Sequence, residues 1–84
     1  MQQFEYTITD PNGLHARPAG LLVKKVQGMS GEFVMECRGK RADLKRLLAI
    51  MGMGIRCGDR VTVKSENASE GELHKLKNYF EENL

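Results

Sequence analysis

NGLHARPAG, residues 12–20, marks the point where the chain changes from a strand pattern to a helix pattern. Residues 3–9 alternate apolar and polar side chains, which predicts a half-buried strand, and residues 10–13 favour a turn. After the turn, apolar residues recur at helical spacing: Ala19, Leu22, Val23 and Val26. Pro18 suits the first turn of this helix, because its missing N–H would have no partner there. His15 is therefore expected just ahead of the helix.

The rest of the chain predicts further strands and two more helices. Residues 33–37 alternate, and a tight turn at residues 38–39 leads into a strand at residues 40–42. Residues 61–63 mark a fourth strand after another turn.

Both later helices carry start signals. Asp43 is a candidate N-cap for a short second helix, which Gly52 and Gly54 would end. The apolar face of this helix would comprise Leu44, Leu47, Leu48 and Met51. Ser69 and Glu72 form a capping-box sequence ahead of a third helix. The apolar stripe of the third helix would be Leu73, Leu76 and Phe80.

The predicted element order is β-α-β-β-α-β-α. Four strands with short connections and interspersed helices favour an antiparallel or mixed sheet with its helices on one face, an α+β sandwich of two layers. A chain of 84 residues without repeat or linker is expected to form one domain, 1–84.

The composition argues against several classes of function for this protein. A hydrophobic fraction of 40% and a charged fraction of 29% are ordinary for a globular protein, and a net charge of +2 does not argue for nucleic acid. The first residues do not resemble a signal peptide, and no apolar run approaches the length of about 18 residues that spans a membrane. A cytoplasmic protein without membrane insertion is expected. Cys37 and Cys57 are expected to be unpaired thiols, and no metal site is expected.

The start of the first helix lacks a capping side chain. Positions 15–17 hold His, Ala and Arg, and not the Ser, Thr, Asp or Asn that usually accept hydrogen bonds from the first N–H groups. Those N–H groups are therefore open to an external anion, which the helix dipole also favours. Arg17 adds a planar donor group suited to phosphate oxygens, and no acidic residue lies between Asp10 and Glu32.

His15 supplies a nucleophile at this predicted anion site. A neutral imidazole can accept a phosphoryl group on a ring nitrogen, and the amides and Arg17 would hold that group. From the residues alone, an ordinary surface histidine remains an open alternative. A Ser-His-Asp hydrolase would need a nucleophile elbow that the sequence lacks, and no cofactor is expected.

Residues 12–20 resemble the active-site signature of HPr, the histidine-containing phosphocarrier of the bacterial phosphoenolpyruvate-dependent sugar phosphotransferase system. The matching residues are Gly13, Leu14, His15, Arg17 and Pro18. The chain length, the element order and the segment GKRADLKRLLAIMGMGIRCGD, residues 39–59, are also similar to this family. The resemblance implies an open-faced β-sandwich, a four-stranded antiparallel sheet covered on one side by three helices.

The resemblance also implies a role for each matching site residue. His15 would be phosphorylated at Nδ1 by phospho-enzyme I and would donate to sugar-specific enzyme IIA domains. Arg17 would orient and neutralise the phosphoryl group, and Ala16 and Arg17 would contribute backbone amides. Such a protein is expected to be a monomeric carrier with a phosphohistidine intermediate and not a stand-alone enzyme.

A docking surface is expected beside the histidine, on the second helix and the loop after it. Methionines and short aliphatics adapt to several partners, and the candidates are Leu47, Leu48, Met51 and Met53. Leu44, Leu48 and Met51 could instead be buried. Leu47 and Met53 would then be the exposed ones. Three basic residues could steer acidic partners: Lys24, Lys45 and Arg46.

Arg46 departs from the family pattern. Many members carry a regulatory serine at the start of the second helix, and the corresponding run here is Asp-Leu-Lys-Arg, residues 43–46. Arg46 cannot be phosphorylated and places a fixed positive charge there, so control by a serine kinase is not expected at this position. A regulatory or nitrogen-type relative, phosphorylated on His15 but signalling instead of feeding sugar import, stays open as an alternative.

A remote alternative is a small module that binds nucleic acid or protein without chemistry. Base stacking would need exposed aromatic side chains on the sheet. Phe4, Tyr6 and Phe33 fall on alternating positions that are expected to be buried, so no nucleic-acid partner is expected.

Overall fold

The computed structural model describes residues 2–84. Their strands and helices follow one another in the predicted order, β-α-β-β-α-β-α. The strands are β1 (Gln2–Thr7), β2 (Val34–Cys37), β3 (Lys40–Asp43) and β4 (Arg60–Ser65), and the helices are α1 (Ala16–Gln27), α2 (Leu47–Met51) and α3 (Glu70–Asn83). None of the helices in this described range is long and apolar enough to cross a membrane.

The strands form one antiparallel sheet in the order β1-β4-β2-β3. One face carries the cross-strand row of Phe4, Val63 and Met35, all of which are buried beneath the helices. The opposite face carries charged and polar rows that no helix covers. The predicted open-faced β-sandwich, a four-stranded antiparallel sheet with three helices on one face, is confirmed.

The uncovered face of the sheet is lined with paired charges. Arg60 contacts Glu5 at 3.4 Å, and Lys64 contacts Glu36 at 2.9 Å. The lysine holds the pKa of Glu36 below its usual value, mainly through the hydrogen bond between the two side chains. Since residues on one strand alternate between faces, this polar row is the counterpart of the buried apolar row.

Phe80 of α3 lies at the centre of the core. Its ring packs edge-on against Phe4 and Tyr6 of β1, with centroids 5.3 and 5.8 Å apart. Such aromatic pairs contribute about 0.5–1.5 kcal/mol each beyond the area they bury. The predicted apolar stripe of α1 is confirmed as buried: Ala19, Leu22, Val23 and Val26.

The β2–β3 hairpin turn holds the loop between α2 and β4 in place. Arg38 and Gly39 have φ values of 50° and 78°, as the tight turn predicted here requires. The Arg38 guanidinium donates to the Asp59 carboxylate and to the carbonyl oxygens of Met53 (3.2 Å) and Gly54 (2.9 Å). A hydrogen bond from the backbone N–H of Arg56, together with Arg38, holds the pKa of Asp59 below its usual value.

Helix α2 starts later than the sequence predicts. Asp43 ends β3 and accepts a hydrogen bond from the Lys45 N–H (2.8 Å), so it forms a local turn and does not cap a helix. Leu44 donates its N–H to Phe33 O (3.0 Å) and buries its side chain in the core. The N-cap is Arg46. The prediction of an Asp43 cap with Leu44 in the helix is therefore wrong, because β-sheet hydrogen bonding extends over those residues.

Only half of the predicted capping box forms at α3. Ser69 Oγ accepts from the Glu72 N–H (3.1 Å), as expected. The Glu72 carboxylate does not return to Ser69; it accepts from the Ser30 N–H (2.8 Å), the Ser30 hydroxyl (3.1 Å) and the Gly31 N–H (3.0 Å). These bonds join α3 to the segment between α1 and β2. The N–H of Ser30, followed by its hydroxyl and the Gly31 N–H, holds the pKa of Glu72 below its usual value.

Substituting Glu72→Gln is expected to lower the urea midpoint of unfolding at neutral pH, because charge-assisted hydrogen bonds to Ser30 and Gly31 are lost. A lowered folded-state pKa means that this stabilisation is complete above the unfolded carboxyl pKa of about 4.3 and disappears as the pH falls through the folded value. The gap between the two proteins should therefore close in acid. Glu70→Gln, in the same helical turn, is the matched control. An equal effect of both substitutions would contradict this assignment.

Candidate functional site

The loop between β1 and α1, residues 8–15, is anchored on two sides. Ile8 donates its N–H to Asp59 O (2.9 Å) and accepts from the Gly58 N–H (2.8 Å), so it extends the sheet toward the α2–β4 loop. The N–H groups of the next two residues donate to the carbonyl oxygen of Leu84 at 2.8 and 3.0 Å. The loop is thereby fixed between the α2–β4 loop and the residue that follows α3.

Gly13 sits where two loops touch. Its φ is +67°, and a Cβ at this position would lie 2.6 Å from Ile55 O and 2.8 Å from the Cα of Arg56. The next residue, Leu14, donates its N–H to Ile55 O (3.1 Å) and is buried. Only glycine combines this positive φ with so close an approach, so Gly13 determines where the chain enters α1.

Helix α1 begins with backbone donors that have no acceptor in the part of the chain that the structure describes. His15 is the N-cap residue, its backbone is extended, and its side chain makes no capping hydrogen bond. The first helical bond runs from the Ala19 N–H to His15 O (3.0 Å), and Pro18 has no N–H. The N–H groups of Ala16 and Arg17 are left without an acceptor among residues 2–84. The predicted uncapped start of this helix is confirmed.

The His15 ring stands next to one carboxylate. Its side chain is 46% exposed, and its Nε2 lies 4.0 Å from Asp10 Oδ2. The other carboxylate oxygen of Asp10 accepts from the Asn12 N–H (2.9 Å). The ring is therefore accessible to another molecule.

His15 and Arg17 share a shallow depression of about 190 Å³. Its wall combines the β1–α1 loop, the start of α1 and the end of α3, through Asp10, His15, Arg17, Pro18, Leu21, Tyr79 and Asn83. Burial raises the pKa of the Tyr79 hydroxyl, which therefore stays protonated at neutral pH. The depression contains an imidazole and a guanidinium, and the open N–H groups of Ala16 and Arg17 follow His15 directly in the chain. This combination can hold a tetrahedral anion against the imidazole.

Two larger depressions, of about 410 and 640 Å³, lie on the uncovered face of the sheet. Their walls are formed by residues of the strands and of the adjoining turns, among them Glu36, which is paired with Lys64. Cys37 lines the smaller one, but burial raises the pKa of its thiol and leaves it a poor nucleophile. The 190 Å³ depression at His15 is therefore the better candidate for a reactive site.

An apolar patch lies on α1, which begins at the site, and on α2. Its members are the large hydrophobic side chains that remain exposed in residues 2–84: Leu21 (53%), Leu47 (37%), Leu48 (84%) and Met51 (42%). The suggestion that Leu48 and Met51 are buried is therefore wrong. Ile50 occupies the inward side of this five-residue helix instead.

Met53 does not belong to the apolar patch. It is 3% exposed, and its N–H bonds to Ile50 O (3.1 Å), which turns the chain back toward the core after α2. The expectation of an exposed docking methionine at this position is wrong, because the turn at Gly52 directs Met53 inward.

The predicted basic residues do lie near the apolar patch. Lys24 is exposed on α1, and Arg46 is exposed at the start of α2. Lys45 is different, since its ammonium contacts Glu32 at 3.3 Å. A hydrogen bond from the Gln27 side chain to Lys45 O (3.3 Å) ties α1 to the turn before α2.

Several residues near His15 were not predicted from the sequence to belong to this region. The sequence predicts Asp10 only as a turn former, and its carboxylate comes within 4.0 Å of the His15 ring only in the folded loop. Leu21 could have been found, since it falls outside the buried stripe of α1 and leaves a large apolar side chain on the polar side. Tyr79 and Asn83 reach the site through tertiary packing, for which the sequence carries no local signal.

Comparisons with known proteins agree on one family. A family model described as the PTS HPr component phosphorylation site matches residues 2–82. The phosphocarrier protein HPr of Mycoplasma genitalium is 34% identical over 85 residues, which cover 99% of this chain and 97% of that protein. A multiphosphoryl transfer protein of Xanthomonas campestris is 35% identical over 74 residues, which cover 88% of this chain but 9% of that much longer protein.

Solved structures give the same result. The histidine-containing phosphocarrier protein of a Mycoplasma superimposes with a TM-score of 0.88 at 29% identity, covering 96% of this chain and 93% of that one. Fold and sequence together define a phosphocarrier with the open-faced β-sandwich architecture. The chain belongs to the HPr family of the phosphotransferase system.

The contact at Gly13 generates a paired prediction. Gly13→Ala should destabilise the protein by at least about 1–2 kcal/mol, because alanine resists a positive φ and its Cβ would overlap Ile55 O. Gly20→Ala, in the middle of α1 with nothing within 4 Å of an added Cβ, should stabilise it by about 0.5–1 kcal/mol. Urea unfolding measures both. Equal effects of the two substitutions would show that the loop contact does not constrain Gly13.

Proposed function

We propose that this chain is a general phosphocarrier for sugar uptake, in which His15 accepts a phosphoryl group at Nδ1 from phospho-enzyme I and passes it to enzyme IIA domains. The observation that carries the proposal is the position of the His15 ring at the start of α1, beside backbone N–H groups of Ala16 and Arg17 that lack acceptors. A carrier must release its cargo, and a 46% exposed ring is open to donor and acceptor alike.

The helix start would hold the transferred group. Ala16 and Arg17 would donate backbone N–H bonds to the phosphoryl oxygens, and the Arg17 guanidinium would neutralise the remaining charge. No acidic residue occupies the first turn of α1, so nothing on the helix competes for these donors. Donors fixed before the reaction stabilise the charge that spreads over the phosphoryl oxygens during transfer.

Partner docking would use the apolar patch. Leu47, Leu48 and Met51 lie on one short helix that contacts α1, the helix of Leu21, so a single partner surface could cover them together. Exposed Lys24 and Arg46 border this patch and would favour partners with an acidic rim. Flexible methionine and leucine side chains adapt to differently shaped surfaces, so one patch could bind several partners.

A regulatory relative is the second candidate function. Arg46 is the N-cap residue of α2 and places a fixed positive charge at the position of the family's regulatory serine, so phosphorylation cannot regulate the protein at that position. A relative of this kind would still be phosphorylated on His15 but would not pass the group to sugar-specific enzyme IIA domains. Transfer from the phosphorylated protein to such a domain separates the two functions.

The acceptor is tested by incubation with phosphoenolpyruvate and enzyme I, followed by intact-mass measurement. One acid-labile phosphoryl adduct is expected, absent in His15→Ala and retained in His74→Ala, because His74 is the second histidine and lies exposed on α3. An adduct that persists in His15→Ala would overturn the assignment. Absence of any adduct on the folded wild-type chain, with an enzyme I that phosphorylates a known carrier, would do so as well.

The docking surface is tested by Leu48→Glu. Since this side chain is 84% exposed, the substitution should leave the urea midpoint unchanged. It should raise the KM for phosphoryl transfer from enzyme I about tenfold, as expected for loss of one well-packed apolar contact. His74→Glu adds the same charge to the exposed surface of α3 and should leave KM unaltered. An unchanged KM in Leu48→Glu would rule out docking through this patch.

A further inference from the structure

The carboxylate of Asp10 is held in place by contacts that do not involve His15. Its Oδ1 accepts from the Asn12 N–H (2.9 Å), which closes a turn within the β1–α1 loop. The backbone N–H of Asp10 donates to Leu84 O (3.0 Å), and the Asp10 carbonyl accepts from the Gly13 N–H (2.9 Å). With one carboxylate oxygen and both backbone groups engaged, the second oxygen, Oδ2, has a defined direction.

This second oxygen faces one particular atom of the imidazole. Oδ2 lies 4.0 Å from His15 Nε2, which is an electrostatic contact and too long for a hydrogen bond. A negative charge beside Nε2 favours a proton on that nitrogen, and in a neutral imidazole a proton on Nε2 leaves the lone pair on Nδ1. The carboxylate beside Nε2 therefore determines that Nδ1 carries the lone pair.

The remaining groups around the ring do not duplicate this effect. The depression that contains His15 holds two other ionisable side chains, the Arg17 guanidinium and the Tyr79 hydroxyl. Arginine is positive and tyrosine is neutral at neutral pH. Among the residues that line this depression, Asp10 is the only acidic side chain.

We propose that Asp10 is a positioning residue that keeps the proton of His15 on Nε2 and so reserves Nδ1 for the phosphoryl group. The inference rests on the proposed function of His15 as acceptor. In the forward step the Nδ1 lone pair forms the new bond to phosphorus, and the bond from phosphorus to the donor's leaving atom breaks with its electron pair. The ring then carries a positive charge with its proton still on Nε2, next to the Asp10 carboxylate.

The return step needs no proton movement. When the phosphoryl group passes to the next acceptor, the bond between Nδ1 and phosphorus breaks and its electron pair returns to Nδ1. The Nε2 proton stays where it was. The carboxylate thus stabilises the charged phosphohistidine ring without taking part in a covalent step.

The test is the tautomer ratio of the neutral His15 ring, read from ring ¹⁵N chemical shifts in mildly alkaline buffer. Asp10→Asn keeps the oxygen that accepts from Asn12 but removes the charge. It should shift the ratio about two- to fivefold toward the Nδ1–H form, as expected for a partly exposed charge pair. Asp10→Ser, which can close the same turn through its hydroxyl, should give the same shift. The single-turnover rate of His15 phosphorylation should fall by a similar factor.

Two references make the result specific. Asp43→Asn removes the same charge from a turn of the same type, where Asp43 accepts from the Lys45 N–H, and should leave His15 unchanged. His74 reports in the same spectra and should not respond to any of these substitutions.

An unchanged tautomer ratio in both Asp10 variants would overturn the role of Asp10 while leaving His15 as acceptor. A shifted ratio in a protein that is never phosphorylated on His15 would overturn the proposed function and leave the effect of Asp10 on the ring. The two failures are therefore distinguishable.

Discussion

The contact between Gly13 and the carbonyl of Ile55 is the constraint on which the geometry of the site depends. A loop from the start of the chain and a loop from its second half approach each other more closely than any side chain would allow. The Leu14 N–H···O bond to Ile55 fixes the last residue before the N-cap. Because the second loop is itself held by the Arg38 guanidinium, the hairpin, the α2–β4 loop and the site form one connected hydrogen-bonded unit.

Helix α1 starts just after this contact without a side-chain cap. Helices normally satisfy their first N–H groups with Ser, Thr, Asp or Asn, and α3 does so through Ser69. Helix α1 has His15 at the equivalent position, and Pro18 removes one of the donors that would otherwise need an acceptor. The loss of a cap typically costs about 1 kcal/mol, which the buried stripe of α1 offsets through packing. What remains is a pair of unpaired donors that follow an exposed imidazole in the chain.

The sequence was sufficient for the elements whose signal is local. The i, i+3, i+4 stripe of α1, the alternation in β2 and the turn at Arg38 and Gly39 each follow from backbone physics over a few residues. Prediction was least successful around α2. With only five helical residues, its apolar residues could not be sorted into buried and exposed by periodicity. Leu48 is exposed as the docking prediction requires, whereas Met53, predicted to lie on the same docking surface, is buried. Sheet order also had no local signal, because β4 pairs between strands that are far from it in sequence.

The site itself was partly visible in the sequence. His15, Ala16 and Arg17 are adjacent along the chain, so their juxtaposition at a helix start could be predicted from capping preferences alone. Asp10, Tyr79 and Asn83 join them only through the tertiary fold, as does the Glu72 carboxylate that links α3 to Ser30. Contacts between residues that are distant in sequence depend on the tertiary fold, so local sequence patterns could not predict them.

The central claim, that the open N–H groups of Ala16 and Arg17 hold the phosphoryl group, can be tested by amide ¹H–¹⁵N spectra of the protein before and after phosphorylation. Amide protons that gain a charged acceptor move downfield. The largest downfield displacements are expected at Ala16 and Arg17, with the first turn of α3 unchanged beneath its Ser69 cap. Unshifted Ala16 and Arg17 amides in a chain that carries a phosphoryl group on His15 would contradict this claim.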